Sequence, residues 1–245
     1  MKYIGSKNKI SKHIVPIIQK AINENNIDIY YEPFVGGANM IDKISCKTRV
    51  GNDIHKELIS MWQEIQNGWE FPMHISEEEY LDVKNNKSNY PDCYVGLVGF
   101  TATFGAKYFG GYARSFKADG VTPRDQSNEA LRNIKKQVEN IKDVNFICGD
   151  YRTNEYTDIQ NAVIYCDPPY KNTTSFSGTD TFNHDEFWDW VREKSKNNIV
   201  FVSEYSAPAD FECIWFKETL ANFDCNRGND TSKKNRIEKL FKLKQ

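Results

Sequence analysis

Nowhere in its 245 residues does the sequence approach 18 consecutive apolar positions, which excludes a transmembrane helix. The opening MKYIGSKNKISKHIVPIIQK has no apolar stretch long enough for a signal peptide, so the protein is expected in the cytoplasm. Cysteine is sparse and scattered: Cys46, Cys93, Cys148, Cys166, Cys213 and Cys225 form no C-x-x-C pair, and the four histidines lie far apart. That argues against a structural zinc site and a disulfide framework; no metal is expected, and the thiols should be buried and reduced. Internal repeats, low-complexity linkers and a full G-x-G-x-x-G loop are also missing. There is no excess of positive charge either, the formal net charge being −2.

The charge that is present is unevenly spread. Residues 1–20 hold Lys2, Lys7, Lys9, Lys12 and Lys20 without an acid, and residues 101–124 hold Lys107, Arg114, Lys117 and Arg124 against Asp119 alone. The tail from 227 holds Arg227, Lys233, Lys234, Arg236, Lys239, Lys242 and Lys244 against Asp230 and Glu238. Three basic patches on a neutral body either line one phosphate-binding surface or are solvated faces.

Along the chain, a helix is predicted over 10–25 and a strand over 27–33 that Pro33 stops. The glycine turn FVGGANM should lead into a helix through Ile44. A strand at 48–53 is followed by Ile54, Leu58, Ile59, Met61, Trp62 and Ile65 at near-helical spacing, with Gly68 as the stop. From about 72 the pattern turns charged and Asn-rich, then dense in glycine and aromatics at 96–116. A capped helix at 127–141 precedes strands at 144–150, 161–167 and 197–203, with a helix at 185–195 between the last two. Strand–helix alternation at both ends predicts a parallel α/β sheet, at 1–54 and 144–245, interrupted by a mostly helical insert at 55–143. His184 reads as a helix-start residue and not as a general base.

Asp167-Pro168-Pro169-Tyr170 directly follows the strand NAVIYC, at the sheet edge where α/β folds place ligands. With average proline usage near 5%, D-P-P-Y arises by chance in roughly one chain per thousand of this length. A rigid turn ending a buried strand would be the plainer reading. The chemistry it suits is attack by an exocyclic amine whose lone pair is delocalised into a ring. A carboxylate (Asp167) and a backbone carbonyl (Pro168) that accept the two amine hydrogens would stabilise the positive charge developing on nitrogen. Tyr170 could stack on the base, which must leave the duplex to be reached. Glu32-Pro33-Phe34-Val35-Gly36-Gly37 is a strand-to-turn where paired glycines let a ligand come close. Asp53 follows 17 residues after Gly36, near the spacing at which an acid meets ribose hydroxyls in dinucleotide folds.

Taken in order, Tyr3-x-Gly5-x-Lys7, E-P-F-V-G-G, Asn52-Asp53, a central insert, Gly149-Asp150-Tyr151 and D-P-P-Y resemble the DNA adenine methyltransferase (Dam) family in its α-group order. The resemblance spans nearly the whole chain, although its specific motifs occupy about a tenth of it. It implies a Rossmann-like S-adenosylmethionine-dependent methyltransferase sheet, with 55–143 as a target-recognition insert. It further implies methyl transfer from S-adenosylmethionine to adenine N6 in double-stranded DNA. The family pattern places Tyr3 and Lys7 at the methionine end of the cofactor, Asp53 on ribose and Asp150 near its adenine. Glu32, Phe34, Gly36 and Gly37 form the rest of the cofactor turn, and Asp167 touches both cofactor and target amine. A restriction endonuclease acting at the same DNA site is a candidate second partner.

The insert departs from members that read GATC, which carry N-x-R-x-N followed by F-N-x-P-F-G. Here the stretch is FTATFGAKYFGGYARSF, so GATC specificity does not carry over. Phe104, Tyr108, Phe109 and Tyr112 could meet bases or fill a small core. Lys107 could reach guanine edges or phosphate; Arg114, after a Gly-Gly-Tyr turn, is expected to read a base, and Lys117 and Arg124 to hold phosphate. Three other readings remain. An RNA or protein-amide methyltransferase is one, though amide enzymes tend to place Asn before Pro-Pro-Tyr. A catalytically idle DNA-binding protein would not need Asp53, Asp167 and Tyr170, and a Rossmann dehydrogenase leaves D-P-P-Y unexplained.

Overall fold

The computed structural model describes residues 1–116, 118–171, 182–220 and 235–244. Helix α1 (Ser11–Glu24) leads into strand β1 (Ile29–Glu32), and β2 (Thr48–Asp53) into α2 (Lys56–Gln66). Helices α3 (Glu77–Asn85), α4 (Asp92–Thr101) and α5 (Gln126–Ile141) follow. The chain then runs through β3 (Val144–Cys148), β4 (Ala162–Cys166), α6 (His184–Lys194), β5 (Ile199–Glu204), β6 (Phe211–Leu220) and β7 (Asn235–Leu243).

The seven strands lie in the order β3-β2-β1-β4-β5-β7-β6, with β7 antiparallel to both its neighbours and the other described ladders parallel. Both faces of the sheet are covered, which is why its central strands read as unbroken apolar runs. Tyr30, Val163 and Tyr165 point into one core with Ile14 and Ile18 of α1 and Trp62 of α2. Their neighbours Tyr31, Ile164 and Cys166 point into the other, against Phe187 and Val191 of α6. From β1 the chain moves outward to β2 and β3, then returns to place β4 and β5 on the other side. The crevice at the carboxyl ends of β1 and β4 is therefore the topological switch point, where such folds bind ligands.

The structure departs from the sequence reading in three places. After the glycine turn there is no α-helix, only a 3-10 turn at Ile41–Lys43. Gly36 and Ala38 adopt left-handed φ of 48° and 53°, and the Gly37 and Ala38 carbonyls accept from Gln137 Nε2 at 3.1 and 2.7 Å, so they are taken by α5. The basic tail supplies an inner strand, β7, where the consecutive residues Leu240 and Phe241 bury on opposite faces of the sheet and Lys239 and Lys242 flank them; Arg227, Lys233 and Lys234 lie outside the described residues. Among the described thiols only Cys166 is buried, Cys46 and Cys93 are half-buried, and Cys148 and Cys213 are exposed because they sit on the outermost strands. Cys225 lies outside the described residues.

The segment 55–143 opens with α2 packed on the sheet: Trp62 stacks on Phe146 at 5.8 Å and donates from Nε1 to Gly36 O at 3.0 Å. Gly96 of α4 lies so close to α2 that a Cβ there would sit 2.1 Å from Glu57 O. Beyond α4, residues 102–116 and 118–124 are largely irregular and pinned by bridges Thr103–Tyr112 and Phe116–Pro123. Asp125 caps α5 by accepting from Asn128 N at 2.9 Å, and Asn183 caps α6, which starts at His184.

Candidate active site

Strand β4 ends at Cys166 and delivers Asp167 into the switch-point crevice, where 22% of its side chain stays open. Two successive prolines fix the backbone that follows. Lys7 enters from a 3-10 turn, Lys7–Lys9, whose start is capped by Ser6. Its ammonium is buried, 3.0 Å from Asp167 Oδ1 and 3.8 Å from Glu238 Oε2, and it donates to Gly5 O at 3.1 Å. It also sits 4.4 Å over the Tyr170 ring. A buried ammonium persists only with such partners: burial pulls its pKa down, and the Asp167 and Glu238 carboxylates outweigh that and raise it.

Burial pushes the Asp167 carboxyl up to about 6, against the pull of Lys7, with Glu238 adding to the rise. Tyr170 donates to Glu238 Oε2 at 3.0 Å and meets Tyr205 edge-on at 4.7 Å. Glu204, the last residue of β5, accepts from Lys171 N at 3.2 Å and Tyr205 N at 2.7 Å, tying the D-P-P-Y loop to β5. Burial pushes its carboxyl up to about 7.

On the β1–β2 side, Asp53 accepts from Gly36 N at 3.1 Å through Oδ2 and from His55 N at 3.0 Å through Oδ1. Burial raises its pKa, and the two N–H groups oppose the rise. Each carboxylate oxygen has a lone pair to spare for an outside donor. Tyr3 lies flat against the glycine turn. A Cβ on Gly36 would meet its Cε1 at 2.7 Å, and one on Gly37 would meet its Cβ at 2.7 Å. Here glycine is required by contact, and at Gly36 also by φ.

The remaining expected cofactor residues have partners of their own. Glu32 is buried and accepts from Tyr30 OH at 2.7 Å; burial raises its pKa well above the carboxylate range. Phe34 packs on Tyr151 at 5.1 Å and Phe187 at 5.8 Å. Asp150 is gripped by Arg152 at 2.9 and 2.6 Å, and these hydrogen bonds lower its pKa; Arg152 also holds Glu186.

In the insert, Tyr108 packs edge-on to His55 at 4.4 Å and tilted to Phe100 at 4.9 Å, and donates to Glu57 Oε1 at 3.3 Å. Tyr112 donates to Ile75 O at 2.9 Å and Phe109 is buried, whereas Phe104 is 50% exposed. Lys107 is exposed. Arg114 is exposed and clasps Glu77, donating to Oε2 at 2.9 Å and also to Oε1. Arg124 clasps Glu129 at 2.6 Å, and Lys117 lies outside the described residues.

The sequence reading thus named Lys7, Asp167 and Tyr170, which the fold brings together, and Tyr3 with Gly36 and Gly37, which it also brings together. It missed Glu204, Glu238 and Arg152. Glu204 ends a strand as Asp53 does, a usable signal; Glu238 was counted only as an acid in a basic tail.

A family model for D12 class N6 adenine-specific DNA methyltransferases matches residues 3–207. The type II methyltransferase M.MjaIII of Methanocaldococcus jannaschii is 25% identical, over 77% of this chain and 74% of its own length. The type II methyltransferase M1.LlaDCHI of Lactococcus lactis subsp. cremoris is 22% identical, over 84% and 81%. The type II methyltransferase M.FokI of Planomicrobium okeanokoites is 26% identical, over 78% of this chain and 31% of its own length.

Proposed function

The chain belongs to the D12 class of N6 adenine-specific DNA methyltransferases, and on that footing we propose which of its residues carry the reaction and what they hold. The enzyme methylates adenine in DNA. The methyl donor is S-adenosylmethionine, which supplies an electrophilic methyl group on a sulfonium.

The residues at the sheet edge fit such a donor. Asp53, its carboxylate aimed by two backbone N–H groups, has spare lone pairs for vicinal ribose hydroxyls. The Gly36–Gly37 turn, backed by Tyr3, presents bare backbone beside it. Phe34 offers an apolar face, and Asp150 a carboxylate next to it for the exocyclic amine of the donor's adenine. Lys7 pairs with Asp167 and holds its carboxylate in place.

At the target, Asp167 accepts one N6 hydrogen and the Pro168 carbonyl the other, which favours a pyramidal nitrogen and stabilises its developing charge. Tyr170 stacks on a base taken out of the duplex. After attack the nitrogen is cationic, and its proton passes to water without a stronger base. Most of the rate enhancement then comes from alignment and preorganised acceptors.

The recognition insert reads the DNA. Because α2 and α5 pack against the sheet and its glycine turn, the reading part narrows from 55–143 to about 69–125. Phe104 and Lys107 face outward there, while Arg114 and Arg124 stand on exposed carboxylates that DNA phosphate or a base edge can displace. A restriction endonuclease of matching specificity is the second partner this reading allows.

The observation that carries the proposal is the buried Lys7–Asp167 pair at the carboxyl end of β4. Purified protein incubated with labelled S-adenosylmethionine and duplex DNA should yield N6-methyladenine on nucleoside analysis, at one motif in single-molecule sequencing. Label appearing only as N4-methylcytosine, or not at all on DNA, would overturn it.

A further inference from the structure

Glu238 stands outside the residues that the family model matches, which end at 207. It belongs to β7, the antiparallel strand wedged between β5 and β6, and 16% of its side chain is exposed. Its Oε2 accepts from Tyr170 OH at 3.0 Å and lies 3.8 Å from Lys7 Nζ. The same ammonium is 3.0 Å from Asp167 Oδ1. One cation therefore sits between two carboxylates, and only one of them is assigned to the target amine.

That arrangement resolves a difficulty in the reaction. An Asp167 engaged with the Lys7 ammonium has its acceptor capacity partly spent, yet a buried ammonium that lost its counter-charge would be strongly destabilised. We propose that Glu238 is a positioning residue for methyl transfer, fixing the Tyr170 ring through its hydroxyl and taking over the Lys7 ammonium as Asp167 turns to the target amine. The shift required is small, because Lys7 Nζ is within 4 Å of both carboxylates before any base arrives. The inference rests on the assignment of Asp167 to the amine made above.

The groups facing Asp167 come from several elements: Lys7 from the N-terminal turn, Glu238 from β7, Glu204 from β5, Glu32 from β1, Tyr170 from its own loop, and Tyr3, Tyr165 and Cys166 from the walls. Lys7 is the one cation among them. Removing the Glu238 charge lifts a repulsion from Asp167 and leaves Lys7 wholly to it, so both effects stabilise the Asp167 carboxylate.

The test is steady-state kinetics and a pH profile on Glu238→Ala and the near-isosteric Glu238→Gln, with duplex DNA and S-adenosylmethionine. Glu238→Ala should lower kcat by about tenfold to a hundredfold with KM for both substrates within about twofold. Glu238→Gln, which keeps the acceptor for Tyr170, should recover part of kcat. In both variants the acid limb of the kcat profile should move to lower pH. Wild-type kcat in the alanine variant would overturn the proposal, as would an acid limb unmoved in the glutamine variant. Equal losses in the two variants would also do so, because the hydroxyl contact would then be irrelevant. If wild-type protein itself fails to methylate adenine, the assignment of the reaction has failed, and that result is distinct from any of these.

Discussion

Two ion pairs of similar chemistry stand in contrasting places. Lys7 and Asp167 meet at 3.0 Å with 7% and 22% of their side chains exposed, while Arg114 and Glu77 meet with 72% and 36% exposed. In the crevice the partners are fixed by burial, and removal of either leaves the other in a poorly solvated site. On the insert the pair is bathed in water, contributes little to folding, and yields to a better partner at small expense. Charges at the sheet edge therefore define a geometry, and charges on the insert form a solvated surface that can rearrange.

Four experiments can break or sharpen that contrast. The largest effect is expected from Asp167→Ala, which should cut methyl transfer by at least about 10²–10³-fold while the far-UV circular dichroism stays native. Near wild-type turnover would remove Asp167 from the chemistry. Lys7→Met should follow: stranding a mostly buried carboxylate costs about 3 kcal/mol, at the low end because part of Asp167 is open to water. Urea unfolding would read it, and an unchanged midpoint would place the pair among surface pairs.

The third concerns acid. With Asp167 at about 6, the acceptor proposed for the amine is protonated below that pH, so the rate should fall about tenfold per unit further down. Glu204, at about 7, adds an earlier step that Glu204→Gln should delete. The stability sign is opposite. A carboxyl raised from its ordinary 3.8 binds its proton more tightly when folded, so Asp167 favours the folded state at low pH and withdraws that support as pH rises from about 4 to 6. Activity should thus be lost on acidification before this group does anything to unfold the protein. Parallel loss of activity and of native circular dichroism would contradict the assignment.

The smallest change in the folded protein is expected from Arg114→Ala. Its melting temperature should stay within about two degrees of wild type, as befits an exposed pair. If the side chain reads a base, methylome sequencing should show the motif relaxed at one position by roughly tenfold or more. An unchanged motif at lower occupancy would make Arg114 a phosphate contact.

The α/β sheet was legible because both its faces are covered, so strands such as AVIYC are apolar throughout, and because α5 and α6 carry capping residues beside apolar stripes. The D-P-P-Y loop and the glycine turn were legible because their backbones demand unusual residues. What escaped was decided by distant partners. Whether residues 38–44 coil as a helix depends on carbonyls captured by Gln137, about a hundred positions away. Likewise Glu238 acquires meaning only when β7 slides between β5 and β6, and a lysine-rich tail gives no local sign of an inner strand. Arg152 was similarly invisible, since its second partner, Glu186, lies on α6.

The strand order also has a consequence for how the enzyme comes to be. During synthesis β5 emerges before β6 and β7, and its outer edge stays unpaired until β7, made after β6, fits between the two. Lys7 meets Glu238 only at that moment, through one of the longest loop closures in the chain, and such closures are slow. A nascent chain can therefore fold its glycine turn and bury most of its sheet while the crevice still lacks the carboxylate that β7 brings to Lys7.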